Sequence, residues 1–404
     1  MSVQRVSEVV KPALLRWARE TAGLTVSQAA KKIGVKPERL VEWEGDWPIP
    51  EIGLKPTVAQ LRKAAHVYKR PLALFFLSEP PAQPTPLHDF RCLPANASSR
   101  LSPDLLLEMR RARRRRAVAL DLLTDRGGAV PELALQARLD DDPEDVATWA
   151  RGWLGVSLQE QSEWTGGYEP LNAWLAAFEA RGAFVFQTGD VSLDEMRGFS
   201  LNERRLPVIV LNAKDAPRGR VFTLMHELVH LLLSQGSVCD PLRVGRNAQT
   251  PDERVEIYCN RVAGALLVPH DALLDHPLVG STRGIREWED PILQRLADQF
   301  AVSREVILRR LLILGRTSDT FYEHKREEYL AQYRALEAQA REREGFAPLF
   351  RVVVRDHGRS YSRLVLEAFE QDRITGADVS DYLGIRLKHL DDIAGAIESA
   401  GARR

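Results

Sequence analysis

The sequence predicts a mainly helical α+β chain of several modules, with a small sheet confined to its middle. Three observations carry this expectation. Short amphipathic stretches broken by Gly fill the first 80 residues. An H-E-x-x-H pattern, His226-Glu227-Leu228-Val229-His230, sits in an uninterrupted apolar helical frame behind an apolar run. Beyond residue 323 the chain reads largely as charged or amphipathic helix.

In chain order, residues 14–21, 25–33 and 37–44 read as three short helices, with Gly23 and Gly34 at the breaks. Thr25 is a cap, Ala29 and Ala30 suit a close crossing, and residues 35–40 open a recognition helix, so the layout is helix-turn-helix. Residues 57–68 and 71–76 complete a five-helix bundle over 1–80, with an insert at 46–55. This segment holds thirteen Lys and Arg against eight Asp and Glu, the balance expected of a domain that contacts phosphates. Ser27, Gln28, Lys36 and Arg39 are the expected DNA contacts. Glu38, Glu42 and Glu44 lie on or just after the recognition helix and oppose phosphate binding there unless one accepts from a cytosine amine.

Residues 79–86 are Pro-rich and mark a boundary; with the Arg-rich helix that follows they form an expected linker segment, 81–130. The six arginines between Arg110 and Arg116 fit either a phosphate-binding stripe or one paired within the molecule, since the same helix has Leu105, Met109 and Leu122 to bury. Residues 206–211 form an apolar run that reads as a strand, whose edge is expected to pair with an extended substrate segment.

The helix that follows places His226 and His230 one turn apart on one face, as metal ligands, with Glu227 beside them to handle the protons of a water. A catalytic zinc needs a third protein ligand, and the helical segment 252–268 offers it. Glu256 is preferred because Asn260 lies one turn later, where it can orient the site from the second shell; Glu253, Cys239 and Cys259 are the alternatives. Tyr258, Arg220 and His270 are oxyanion candidates by proximity in sequence. A two-His, one-carboxylate set also accepts manganese, so zinc is the expected metal on grounds of motif. Residues 296–311 and 375–393 repeat the helix, turn, helix grammar. Residues 323–343 read as a charged, water-exposed connecting helix, and 352–354 as a strand in a C-terminal module.

Lys and Arg total 56, as do Asp and Glu, so overall charge points to no nucleic-acid or membrane partner. Cys92, Cys239 and Cys259 form a sparse, unpaired set, and no secretory or membrane-spanning run is present; the expected location is the cytoplasm.

Several motifs in order carry a resemblance. From about Trp149 to about Tyr322 the chain resembles the ImmA/IrrE family of metallopeptidases, through Gly182-Ala183-Phe184-Val185-Phe186, Arg197-Gly198-Phe199-Ser200-Leu201, Pro207-Val208-Ile209-Val210-Leu211-Asn212, the His226 motif and Glu256-Ile257-Tyr258-Cys259-Asn260. The first 80 residues resemble the Xre-type helix-turn-helix domains joined to that family, through Arg16-Trp17-Ala18-Arg19-Glu20, Trp43-Glu44, Pro56-Thr57 and Arg70-Pro71-Leu72-Ala73-Leu74-Phe75-Phe76. The resemblance implies a zincin-like peptidase domain over 131–322, a connector over 323–345 and a C-terminal module over 346–404. It implies a gluzincin-like zinc site in which His226, His230 and Glu256 are ligands and Glu227 is the general base. The implied substrate is a DNA-binding repressor protein, cleaved after stress or induction. Such fusions also resemble antitoxins encoded beside a toxin. The second expectation is therefore a DNA-binding autoregulator, partnered by a cognate toxin or by a second copy of itself, with a latent or structural zinc site.

Overall fold

The computed structural model describes residues 10–45, 55–81, 101–127, 129–234, 237–239, 250–281, 284–342 and 348–398, without the side chains of 237–239 and 334–342. The expected linker residues 82–86, most of the 46–55 insert, Cys92 and the Cys239 side chain lie outside the described residues. The chain is mostly helical with one small sheet, and none of the described helices is long and apolar enough to cross a membrane. It divides into two compact units: Met1–His88 with Leu93–Arg111, and Asp89–Cys92 with Ala112–Arg404.

The first unit contains α1 (Pro12–Thr21), α2 (Val26–Ile33), α3 (Pro37–Glu44), α4 (Val58–Val67) and a 3-10 turn, Leu72–Phe76, where a fifth α-helix is expected from the sequence. Two local rules set the boundaries of α2. Thr25 accepts from the Gln28 backbone N–H while Gln28 accepts from that of Thr25, a reciprocal cap, and Gly34 at φ +82° closes the helix in the left-handed region that a side chain disfavours. Leu15, Ala30, Leu40, Trp43, Leu61 and Phe75 form the shared core. Inside it, Arg19 grips Glu44 with Nε and Nη2 at 2.8 Å each. Glu44 is therefore turned inward, neutralised by a guanidinium, and does not oppose phosphates on the surface of α3.

Helix α5 (Pro103–Asp125) supplies its residues up to Arg111 to the first unit and the rest to the second. Its arginines are largely spent on the protein itself. In the first unit Arg110 donates to the Lys69 carbonyl and Arg111 pairs with Glu108. In the second, Arg114 pairs with Asp381, Arg115 lies over the Phe186 ring, and Arg116 donates to the carbonyls of Arg205 and Leu206. Of the two readings of this stripe, the intramolecularly paired one describes these residues.

The second unit continues with α6 (Pro143–Leu154), α7 (Leu158–Glu163) and α8 (Glu169–Ala180), then the strands β1 (Phe184–Thr188), β2 (Gly198–Leu201) and β3 (Val208–Asn212). Helix α9 (Pro217–Leu232) precedes β4 (Ser237–Cys239), and the sheet order is β1-β3-β2-β4. β3 runs parallel to β1, with Phe184 opposite Val208, and antiparallel to β2, with Ser200 opposite Ile209. Every residue of β1, β2 and β3 is buried, the polar Gln187, Thr188, Ser200 and Asn212 included. One expectation fails here. β3 is hydrogen-bonded on both sides, so the strand assigned by sequence to pair with substrate has no edge to offer.

Helix α9 lies on β2 and β3, and α10 (Pro251–Leu267) packs against α9 and α6. There follow α11 (His270–Leu274), α12 (Pro277–Gly280), α13 (Asp290–Gln299), α14 (Arg304–Ile313) and α15 (Asp319–Glu342). The C-terminal helices are α16 (Leu349–His357), α17 (Arg359–Glu370), α18 (Gly376–Leu383) and, after a 3-10 turn, α19 (Leu390–Glu398). The Val352-Val353-Val354 run expected as a strand is helical, in α16. Packing overrides the β-branched propensity: α16 buries Val353 while lying against β1 and α19, so one helical face gains what a lone strand could not. At the α16–α17 junction Gly358, at φ +71°, passes so close to β1 that a Cβ would stand 2.8 Å from the Val185 carbonyl oxygen.

Candidate metal centre

His226, Glu227 and His230 lie on α9, and Glu256 and Asn260 one turn apart on α10. The helix–helix contact brings the two sets together. His226 Nε2 and His230 Nε2 are 3.0 Å apart, and the Glu256 carboxylate oxygens lie 3.2 and 3.3 Å from them. A tetrahedral zinc with bonds of about 2.0–2.1 Å would hold its ligand atoms about 3.3 Å apart. The three side chains therefore fit a divalent metal in spacing and in donor chemistry, two imidazoles and a carboxylate, and they form a buried cluster.

The surroundings fix the donor atoms. Asn260 Oδ1 lies 3.1 Å from His226 Nδ1, and an amide oxygen can only accept. His226 thus carries its proton on Nδ1 and turns the Nε2 lone pair to the cluster. Burial works against charge on Glu256, but its contacts with the His226 and His230 imidazoles outweigh it and hold the carboxyl well below its usual range. Burial likewise opposes protonation of His230, yet Cys259 and Glu256 raise its pKa well above the ordinary imidazole value. Burial pushes the Cys259 thiol up to about 11. In the described structure Cys259 is a buried neighbour of His230.

Glu227 is buried next to His226 in the chain, and its Oε2 accepts from the Ser200 hydroxyl on β2 at 2.9 Å. Gly198, two residues earlier on the same face of β2, lets the strand lie flush on α9: a Cβ there would meet Thr223 Cγ2 at 2.5 Å and Glu227 Cγ at 3.4 Å. Sequence reasoning assigned no role to either residue. The i, i+2 spacing of Gly198 and Ser200 beside a buried carboxylate was the available signal.

The three oxyanion candidates are not gathered at the cluster. Tyr258 lies about 200° around α10 from Glu256, and its neighbouring charges are Asp141 and Asp142. Arg220 is hydrogen-bonded to Gln187 on β1, and His270 is paired with its neighbour Asp271 near the surface. Glu253 caps the start of α10 by accepting from the Thr250 backbone. In the first unit Ser27, Gln28 and Lys36 are exposed, Gln28 is engaged in the α2 cap, and Arg39 is half-buried in an ion pair with Glu42 at 2.7 Å.

A cavity of about 460 Å³ is walled by Phe222 and Thr223, the starts of α9 and α14, and α15. The Phe222 ring is 6.5 Å from that of His226. Helix α15, read from sequence as an exposed connector, presents Arg326, Tyr329, Leu330 and Tyr333 to this cavity. Their i, i+3, i+4, i+7 spacing makes one face. Tyr333 donates to Asp215 at 2.9 Å and lies under the Arg197 guanidinium, which holds that helix face in place.

No curated protein matches the chain. Residues 185–312, which run from β1 into α14 and include the whole metal cluster, match the family model of the IrrE N-terminal-like domain, Peptidase_M78. The middle of this chain is thus a metallopeptidase-type domain similar to those of IrrE and ImmA.

Proposed function

We propose that the chain is a zinc-dependent regulatory endopeptidase, with Glu227 as general base and His226, His230 and Glu256 as metal ligands. The observation that carries this reading is a buried two-histidine, one-glutamate cluster with a separate glutamate, Glu227, held beside it by Ser200. The chemistry supplied by a bound divalent metal is polarisation of the scissile carbonyl and acidification of water. Ser200 orients the Glu227 carboxylate, which takes the proton of the attacking water and returns it to the leaving amine. Asn260 keeps His226 in the tautomer whose Nε2 faces the cluster. The cavity beside Phe222 is the entry for substrate, and with β3 enclosed in the sheet the substrate does not pair there.

The substrate class is a DNA-binding repressor or similar protein, and the first unit is a helix-turn-helix head. Its α2–Gly34–α3 segment and the exposed Ser27, Gln28 and Lys36 support that reading. A second reading, an autoregulator or antitoxin with a latent or structural zinc site, draws on the burial of the centre: His226, Glu227 and His230 are 0 % exposed.

The test is to purify wild type and Glu227→Gln, quantify zinc, and incubate each with the repressor-like and toxin-like products of neighbouring genes. Equal zinc, with defined fragments from wild type only, is expected. The variant should be slower by about 10²–10⁴-fold. Stable complexes without cleavage in both samples would favour the second reading, and cleavage at the wild-type rate by Glu227→Gln would remove Glu227 from the mechanism.

A further inference from the structure

Among the described residues the buried arginines have carboxylate partners, with one exception that lines a cavity. Arg19 pairs with Glu44, Arg309 with Glu305 and Arg310 with Glu144. Arg220, 1 % exposed, has none among the described residues. Its Nη1 donates to the neutral Gln187 Oε1 at 2.6 Å, its guanidinium lies 5.2 Å from the Tyr168 ring centroid, and its Nε has no partner. Its guanidinium is thus buried without a carboxylate partner among the described residues, an arrangement that costs desolvation without an ion pair to offset it.

Arg220 and Gln187 both line a cavity of about 660 Å³ between α8, β1 and α16. Its volume is that of a small-molecule site. Leu171, Leu175, Val185 and Phe350 give it apolar walls, while Arg351, Arg355 and Arg359 make its charged lining predominantly basic. Glu179 is the one carboxylate in that lining, and it accepts from the Arg359 backbone N–H at 3.0 Å.

We propose that this cavity is a binding site for an amphiphilic organic anion, a carboxylate or phosphate head seated on Arg220 and Gln187 with an apolar body against Leu171, Leu175 and Phe350. The planar guanidinium matches either oxyanion, and the Gln187 amide, fixed by Arg220, adds a second polar group beside the apolar Leu171 and Leu175. The site is separate from the metal centre and does not depend on the peptidase reading. It also accounts for a buried charge that the reaction does not use.

The test is calorimetric titration of the full-length protein with octanoate, octyl phosphate and octanol. The two anions distinguish a fatty acid from a phosphate ester as the preferred class. At least one should bind, and octanol about tenfold or more weaker, the worth of a hydrogen bond to a charged group. Arg220→Met should lose anion binding by a similar factor, with melting temperature equal or higher and zinc content unchanged, because an uncompensated charge is replaced by an apolar chain of similar length. Should Arg220→Met fail to fold, Ala176→Phe fills the cavity with Arg220 intact, and is expected to abolish binding. Octanol binding as tightly as octanoate and octyl phosphate, neither anion binding wild type at millimolar concentration, or full affinity in a folded Arg220→Met or Ala176→Phe would each overturn the proposal.

Discussion

Replacing Gly198 by Ala tests how the general-base candidate is held. The new Cβ would stand 2.5 Å from Thr223 Cγ2, 3.2 Å from the Val210 carbonyl oxygen and 3.4 Å from Glu227 Cγ. Carbon atoms pack at about 3.5–4.0 Å, so the first contact is short by about 1 Å. Thr223 is 1 % exposed and β-branched in a helix, so it cannot swing aside, and the Val210 oxygen belongs to the paired strand β3. Strand β2 must therefore lift from α9, at a cost of about 1–3 kcal/mol, the usual range for an overpacked core. The displaced strand carries Ser200, so Glu227 loses its hydrogen-bond partner as well. Hydrogen exchange of the β2 and α9 amides reads the local stability without requiring the whole chain to unfold in one step. Thr223→Ser removes the clashing methyl, and the double variant should regain about 1 kcal/mol or more relative to the sum of the single changes. Zinc content should not change, since neither residue is a ligand. Additive effects, or full protection in Gly198→Ala, would refute the close-approach argument.

Asn260→Ala should weaken zinc binding by about 10–100-fold in a competition assay with a chromophoric chelator, because His226 loses the acceptor that fixes its tautomer. Wild-type affinity in that variant would show that the contact orients nothing. Glu44→Ala should destabilise the first unit by about 3–5 kcal/mol, read from amide exchange in α1 and α3, since Arg19 is left buried with only the exposed Glu20, 3.4 Å away, as a counter-charge. Glu305 gives a pH signature. Burial raises its pKa, but Arg309 and the Tyr322 hydroxyl outweigh burial and leave it lowered. Its folded value thus lies below its unfolded one. The contribution is complete above the unfolded carboxyl value, about 4.3, and is lost as pH falls through the folded value. Glu305→Gln should therefore be less stable than wild type at pH 7 and lose less on acidification from pH 5 to pH 3, by thermal unfolding; parallel acid limbs would contradict this.

Much of the metal centre was legible in the sequence because helical geometry is local. Two histidines four residues apart on an apolar helix must share a face, and Glu256 and Asn260 obey the same rule on the next long helix. Helix boundaries were legible for a similar reason: Thr25 with Gln28, and Gly34 in the left-handed region, are satisfied within one turn of chain. Proximity in sequence offered Arg220 only as an oxyanion candidate, whereas in the fold it is hydrogen-bonded to Gln187.

Tertiary structure decided everything that depends on which surfaces meet. Ser200 and Glu227 are 27 residues apart, and only the seating of β2 on α9, permitted by Gly198, makes them partners. The edge or centre status of β3 follows from sheet order, which hydropathy does not encode, so its apolar run was read correctly as a strand and wrongly as a substrate platform. Val352-Val353-Val354 followed burial against β1 rather than propensity, and α15 gained a cavity-lining face that its charged composition hides. Glu44 and Arg220 show the same division for charge: composition counts ions, but only the fold decides that Glu44 meets Arg19 and that Arg220 meets no carboxylate. The physical reason is range. Backbone caps and helical periodicity act over a few residues, whereas desolvation and ion pairing depend on segments brought together from far apart in the chain.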